Sequence, residues 1–378
     1  VTQFLDRHES CVSSALKQAD YLETPLRFLY QTTLATIIAL TATAAHALPY
    51  SNIYIFGDSL SDSGNNYLVF QNAPAFPPPL DGLNAVPTPR PNAVITTPTP
   101  LPSGGFIPSF PYAPASPYPF GTYSNGPTWA VEFGAALGIA ITPSFLGGNN
   151  FAYGGATTSG ASPFPASLST QVDQFVSRPG LADPDALYVI AGGGNNARAV
   201  LAAIGGGADV ATTIQTAAAA YAADTVSMIT RLQNEGADDI IVWNVPNLAL
   251  APAISLGGPQ SQFVGLLTSV AMNLALAQAL AAPSIAPDVR LFDLFGLVTS
   301  AYLDPLAFGF TNVTAACGFN PVACTNPNTW LFWDGIHPTS GGHALIAQSM
   351  LALVPVPATV PLFAIGLAGV WLVRRRRA

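Results

Sequence analysis

Asn52-Ile53-Tyr54-Ile55-Phe56-Gly57-Asp58-Ser59-Leu60-Ser61-Asp62-Ser63-Gly64-Asn65-Asn66 is the stretch whose reading decides the fold. Its apolar start stops at Gly57, the pattern of a short strand buried on both faces. Ser59 follows on the turn, at the edge where a parallel sheet presents its ligands. The same serine would also serve as the N-cap of a helix. Further along, residues 186–191, 239–245 and 289–293 repeat the short apolar pattern. Between them residues 128–137, 208–235 and 259–282, and after them residues 340–353, carry helical composition or periodicity. Strands alternating with helices imply a parallel sheet covered on both faces. Residues 71–120 hold fifteen of the 35 prolines and no clear period, so they read as an irregular insertion.

Composition narrows the function. Half of the 378 residues are hydrophobic and only 8% are charged, against about 25% in an ordinary domain. Residues 48–373 contain sixteen acids, five arginines and no lysine, a net charge near −11. Such a body repels phosphate backbones, so no nucleic acid is expected as a partner. It also lacks a basic cluster for anionic lipid.

Both ends read as addresses. Arg27, an apolar stretch near residues 33–42, and Ala45-His46-Ala47 describe a signal peptide cut after Ala47, so 1–47 is expected to be a leader. The first methionine is Met228, which suggests a start placed too early or a start other than Met. At the other end, residues 354–359 are proline-rich, 358–373 are sixteen uninterrupted apolar or uncharged residues, and Arg374 to Arg377 follow. That span is slightly short of the ~20 residues of a relaxed membrane helix, and its arginines are placed in the cytoplasm by the positive-inside rule. The tail at 354–378 resembles the PEP-CTERM sorting signals of Gram-negative bacteria, with Ala358 where that group's Glu varies. The resemblance implies an exosortase-like sorting enzyme as partner, and membrane association through the C-terminal helix before processing. A simple tail anchor is the plainer alternative.

Cys317 and Cys324 are the only cysteines outside the leader. In an exported protein a disulfide is their expected state. Two cysteines and few histidines do not make a four-ligand zinc site, so no metal or other cofactor is expected.

Beyond the leader there are two histidines, His337 and His343. His337 stands in Asp334-Gly335-Ile336-His337-Pro338, where the carboxylate three residues earlier can hold Nδ1–H and leave Nε2 as a base. His343 follows Gly341-Gly342 and reads as a residue on the face of the closing helix.

Gly57 to Asn66 together with Asp334 to Pro338 resemble the GDSL esterases and lipases of the SGNH hydrolase superfamily, over nearly all of residues 50–353. The resemblance implies a flavodoxin-like three-layer α/β/α sandwich with a parallel sheet of about five strands, in one domain over 48–353. It places Ser59 as nucleophile, with Asp334 and His337 completing a catalytic triad. Tyr123-Ser124-Asn125-Gly126-Pro127-Thr128-Trp129 resembles the family's Ser-Asn-Gly block, which implies an oxyanion donor at Gly126. Gly193-Gly194-Asn195-Asn196 resembles the block that supplies the oxyanion asparagine, here Asn195, beside the N–H of Ser59. Gly-Asn-Asn occurs three times, and Asn195 is chosen because a buried strand delivers it to the edge where Ser59 stands. Asn150, in a segment similar to one of the bacterial and plant-like lipases, reads as structural. Asn196 departs from the family's usual Asp, and altered local hydrogen bonding is expected there.

The reaction implied is two-step ester hydrolysis through an acyl-enzyme, on a lipid or an acylated carbohydrate. An exported, envelope or extracellular location in a Gram-negative bacterium is expected. A deacetylase of matrix polysaccharide and a non-catalytic matrix protein are the competing readings.

Overall fold

The computed structural model describes residues 50–72, 99–100, 106–107, 121–160, 164–178, 180, 182–282, 285, 289–318 and 322–355. The expected leader and almost all of the expected sorting tail lie outside them, as does most of the 71–120 insertion. Tyr50–Val354 forms one compact unit.

Four strands, β1 (Ile53–Gly57), β2 (Leu187–Ala191), β3 (Asp239–Trp243) and β4 (Val289–Phe292), make a parallel sheet in that spatial order. The helices are α1 (Asn65–Asn72), α2 (Trp129–Ala136), α3 (Leu168–Val176), α4 (Gly194–Gly205), α5 (Val210–Asn234), α6 (Gly258–Leu280), α7 (Leu294–Leu303) and α8 (Ser340–Leu351), with a single turn at Pro252–Ser255. Alternate side chains on each strand enter opposite layers. Tyr54, Phe56, Tyr188, Ile190, Ile240 and Val242 pack with α3, α5 and α6. Ile53, Ile55, Leu187, Val189, Ile241 and Trp243 pack with α2, α7 and α8. Each such side chain removed from water contributes about 1.5–3 kcal/mol before entropy is counted. The result is the expected three-layer sandwich.

The expected count of about five strands becomes four plus an irregular edge. Asn149–Tyr153 runs beside β1: Ile55 N–H donates to Asn149 O (3.1 Å), Phe151 N–H to Ile55 O (2.7 Å) and Tyr153 N–H to Gly57 O (3.2 Å). These bonds continue the ladder without forming a strand. The insertion is also less uniform than its prolines imply: α1 reaches Asn72, and Thr99–Pro100 pairs antiparallel with Phe106–Ile107. A second small sheet pairs β5 (Asn312–Ala316) with β6 (Trp330–Phe332). Cys317 and Cys324 form the expected disulfide beside it.

Two glycines are required by this packing. A Cβ on Gly57 would sit 2.8 Å from Ala191 O and 2.9 Å from Ser61, so β1 can end against β2 only without a side chain. Gly193 precedes α4 with φ +111°, pressed between Tyr221 and Val245, a conformation L side chains rarely adopt.

Candidate active site

Ser59 sits on the tight turn that follows β1. Asp58 O accepts the N–H groups of Ser61 (3.0 Å) and Asp62 (2.9 Å), which turns the chain sharply after Gly57. The turn is held from behind by Asp62. Its Oδ1 accepts from Gly64 N–H (2.8 Å) and Asn65 N–H (2.7 Å), and its Oδ2 from Gly154 N–H (2.9 Å). Asn65 Nδ2 donates to Asn150 O and Ala152 O, Asn66 Nδ2 to Gly154 O, and Asn150 Nδ2 to Ser61 O. The Ser-Asp-Ser-Gly-Asn-Asn string is therefore a polar clasp on the 150–154 segment. Asn150 is a bracket within it. Burial pushes the carboxyls of Asp58 and Asp62 up to about 6, against the backbone hydrogen bonds that favour their charge.

From the far end of the described chain, β6 and the cap of α8 bring in His337. Thr339 Oγ1 accepts from Gly342 N–H (3.1 Å) and donates to Trp330 O (2.5 Å), fixing the loop between. Asp334 Oδ1 accepts the N–H groups of Ile336 and His337, both at 2.7 Å. Its Oδ2 lies 2.7 Å from His337 Nδ1, and His337 Nε2 lies 2.8 Å from Ser59 Oγ. All three residues are buried. Tyr123 stacks obliquely on the imidazole, ring centres 5.2 Å apart.

A cleft opens over Ser59 and His337. Its wall includes Asn195 and Arg198, and it is otherwise dominated by side chains such as Leu248, Ile254, Leu294, Val298, Phe332 and Ile336. Asn195, at the start of α4, donates from Nδ2 to Ala156 O (2.9 Å). Gly126 is absent from that wall. A Cβ on it would meet Ser340 at 2.9 Å, and its carbonyl takes the hydroxyl of Thr122. Gly155 is likewise absent from that wall; it directly precedes Ala156, whose carbonyl accepts from Asn195 Nδ2, and the Gly155 N–H has no acceptor among the described residues.

Arg198 escaped the sequence reading. One turn after Asn195, its Nη1 donates to Asn195 Oδ1 (3.3 Å). Burial lowers its basicity, partly offset by the charges of Asp334 and Asp58. The only signal was its position, three residues beyond Asn195. Asn196 turns outward from the site: Oδ1 accepts from Thr158 N–H (3.0 Å) and Nδ2 donates to Thr158 Oγ1 (2.9 Å). His343 is buried away from the cleft, where its Nδ1 accepts from Trp129 N–H (3.2 Å). Among the described residues no group of three or more His, Cys, Asp or Glu is placed to hold a metal.

With this geometry in place, comparison with known proteins settles the family. Residues 53–350 match the GDSL-like lipase/acylhydrolase family, and the chain belongs to it. A protein of the trpE-trpG intergenic region of Pseudomonas putida is 30% identical over 366 residues, covering 87% of this chain and 53% of that protein. Esterase EstA of Pseudomonas aeruginosa is 28% identical over 367 residues, covering 85% and 50%. Phosphatidylcholine-sterol acyltransferase of Aeromonas hydrophila is 24% identical over 369 residues, covering 83% and 93%. The chain thus spans about half the length of the first two relatives.

Proposed function

We propose that this chain is an exported serine hydrolase that cleaves carboxylic esters through an acyl-enzyme. The observation that carries the reading is the line Ser59 Oγ, His337 Nε2, His337 Nδ1, Asp334 Oδ2, with 2.8 and 2.7 Å contacts at the floor of an apolar cleft. Ser59 Oγ attacks the ester carbonyl as its proton passes to His337 Nε2. Asp334 holds the imidazole in the tautomer with hydrogen on Nδ1 and stabilises the imidazolium. The imidazolium then protonates the departing alcohol, and water repeats the sequence to release the acid.

The oxyanion is met by the N–H of Ser59 and the second N–H of Asn195 Nδ2. For the third donor, the position beside Asn195 favours Gly155 over Gly126. The apolar wall favours a hydrocarbon acyl group over the acetyl group of a polysaccharide. Export is supported by the Cys317–Cys324 disulfide, which suits an oxidising compartment. The sorting tail at 354–378 and its exosortase-like partner belong to the same proposal.

The test is hydrolysis of p-nitrophenyl esters from acetyl to palmitoyl by the wild type and by Ser59→Ala. Loss of hydrolysis in the variant supports the reading, and the chain-length optimum separates lipase-like from deacetylase-like use. Equal rates in the two well-folded proteins would overturn it.

A further inference from the structure

Helix α6 wears its polarity inside out. Thr268 and Ser269 are fully buried, Ser269 Oγ accepts from Leu248 N–H (3.3 Å), and Asn273 exchanges two hydrogen bonds with Val245, at 2.8 and 2.9 Å. The outward face instead carries Phe263 (57% exposed), Leu266, Leu267, Val270 and Leu274 (58% exposed), with Leu256 exposed just before the helix. These positions follow the three- and four-residue spacing of a single helix face. No Asp, Glu, Lys or Arg occurs anywhere between Asp239 and Asp288.

From this arrangement we infer that the outer face of α6 is a docking surface for the acyl region of an uncharged or zwitterionic lipid layer. Three observations select that occupant. First, the stripe has no cation for anionic headgroups, on a body whose net charge is strongly negative. Second, summing the exposed fractions gives about 500 Å² of apolar surface, within the ~300–600 Å² of a monomer's largest, often functional patch and below the ~800 Å² per partner of a stable dimer. Third, the helix that carries the stripe backs onto the wall of the cleft. The inward polar groups of α6 hold the 245–248 loop, Gly265 lies so close to Ile254 and Ala249 that an added Cβ would stand 3.2 and 3.4 Å from them, and Leu248 and Ile254 line the cavity over Ser59. The element that would dock is therefore the one that supports the cleft wall.

Mean hydropathy of 1.7 makes α6 apolar enough to cross a membrane, but its inner face is committed to the core. Lying in the interface is the geometry left to it. Substrates presented in a lipid layer, rather than dissolved esters, follow as the class. That purpose rests on the proposed hydrolase activity, whereas the docking is measured without it.

The experiment attaches a polarity-sensitive fluorophore to Leu267→Cys in the full chain carrying Cys11→Ser, with Thr216→Cys on exposed α5 as control. Phosphatidylcholine vesicles with brominated acyl chains are then added. At position 267, a blue shift and loss of most emission to the bromine are expected, while position 216 stays in water. Ser59→Ala should leave both readings unchanged, which separates this inference from the catalytic one. Two outcomes overturn it. One is a label at 267 that remains water-like with vesicles present. The other is a label already shielded before vesicles are added, which would assign the stripe to another part of the chain or to a second copy.

Discussion

Arg198 Nη1 donates to Asn195 Oδ1 across 3.3 Å, and this contact fixes which end of the amide is which. Oδ1 is taken by the guanidinium and one Nδ2 hydrogen by Ala156 O, so a single N–H is left for the cleft. Removing an oxyanion donor typically costs about 10²–10³ in kcat. Asn195→Ala should show a loss of that size with KM little changed. Arg198→Ala should lower kcat less, and Arg198→Lys should recover part of it, since an ammonium can reach the same oxygen without the planar fork. An unchanged kcat in Arg198→Ala would show that the amide is oriented without it.

Asp334→Asn tests the base more finely than its removal. Asparagine keeps an Oδ1 acceptor for the Ile336 and His337 N–H groups but sets an amide against His337 Nδ1, favouring the wrong tautomer. A kcat loss of about 10⁴ with an unaltered melting temperature is expected. Ser59→Ala and His337→Ala should be at least as deficient. A pre-steady-state burst of p-nitrophenol in the wild type, absent from Ser59→Ala, checks the acyl-enzyme.

His343 predicts an acid-sensitive term in stability. Burial lowers its pKa from 6.5 to about 3, and its Nδ1 serves as acceptor for Trp129 N–H, so the folded state holds it neutral. A depressed folded pKa means stability present above 6.5 and lost progressively as pH falls towards 3. Asp58 and Asp62 act oppositely: raised to about 6, they favour the fold as pH falls from 6 towards 3.8. The difference between proteins isolates the histidine. His343→Asn, with an Oδ1 acceptor for Trp129, should lose less melting temperature than the wild type between pH 7 and pH 4.5. Parallel curves would remove His343 from the account.

The Cys317–Cys324 disulfide closes a loop of seven residues' separation. By chain-entropy reasoning its removal should cost about 2 kcal/mol. Cys317 N–H and Gly318 N–H donate to Phe332 O and Trp333 O, one residue short of Asp334. The double variant Cys317→Ser, Cys324→Ser should therefore melt earlier yet keep kcat within a few-fold at low temperature. Chemical denaturation with parallel assays reads both quantities.

The strands were legible because they are buried on both faces and so write themselves as unbroken apolar runs. Ser59 and His337 were legible because the body offers so few bases and so specific a turn. Other parts depend on contacts that no local pattern announces. Helix α1 opens with two asparagines, poor helix formers, and its first N–H groups are held by Asp62. Helix α4 begins Gly-Asn-Asn, which reads as loop until Gly193 turns the chain. Gly126 lies in a matching block, but the fold packs it against Ser340, and the residue that accepts from Asn195 Nδ2, Ala156, lies just beyond the irregular edge beside β1. The outer face of α6 hid behind composition, since apolar residues on one side and small or uncharged ones on the other leave no period to read.

Ser59 and His337 are 278 residues apart in sequence, one following the first strand and the other preceding the last described helix. A ribosome that has released the chain only as far as Pro327 has delivered the hydroxyl without its imidazole. Until the last part of the domain is made and docked, the nascent chain carries Ser59 without the imidazole that stands 2.8 Å from it in the fold, so the geometry that defines the site also sets its birth time.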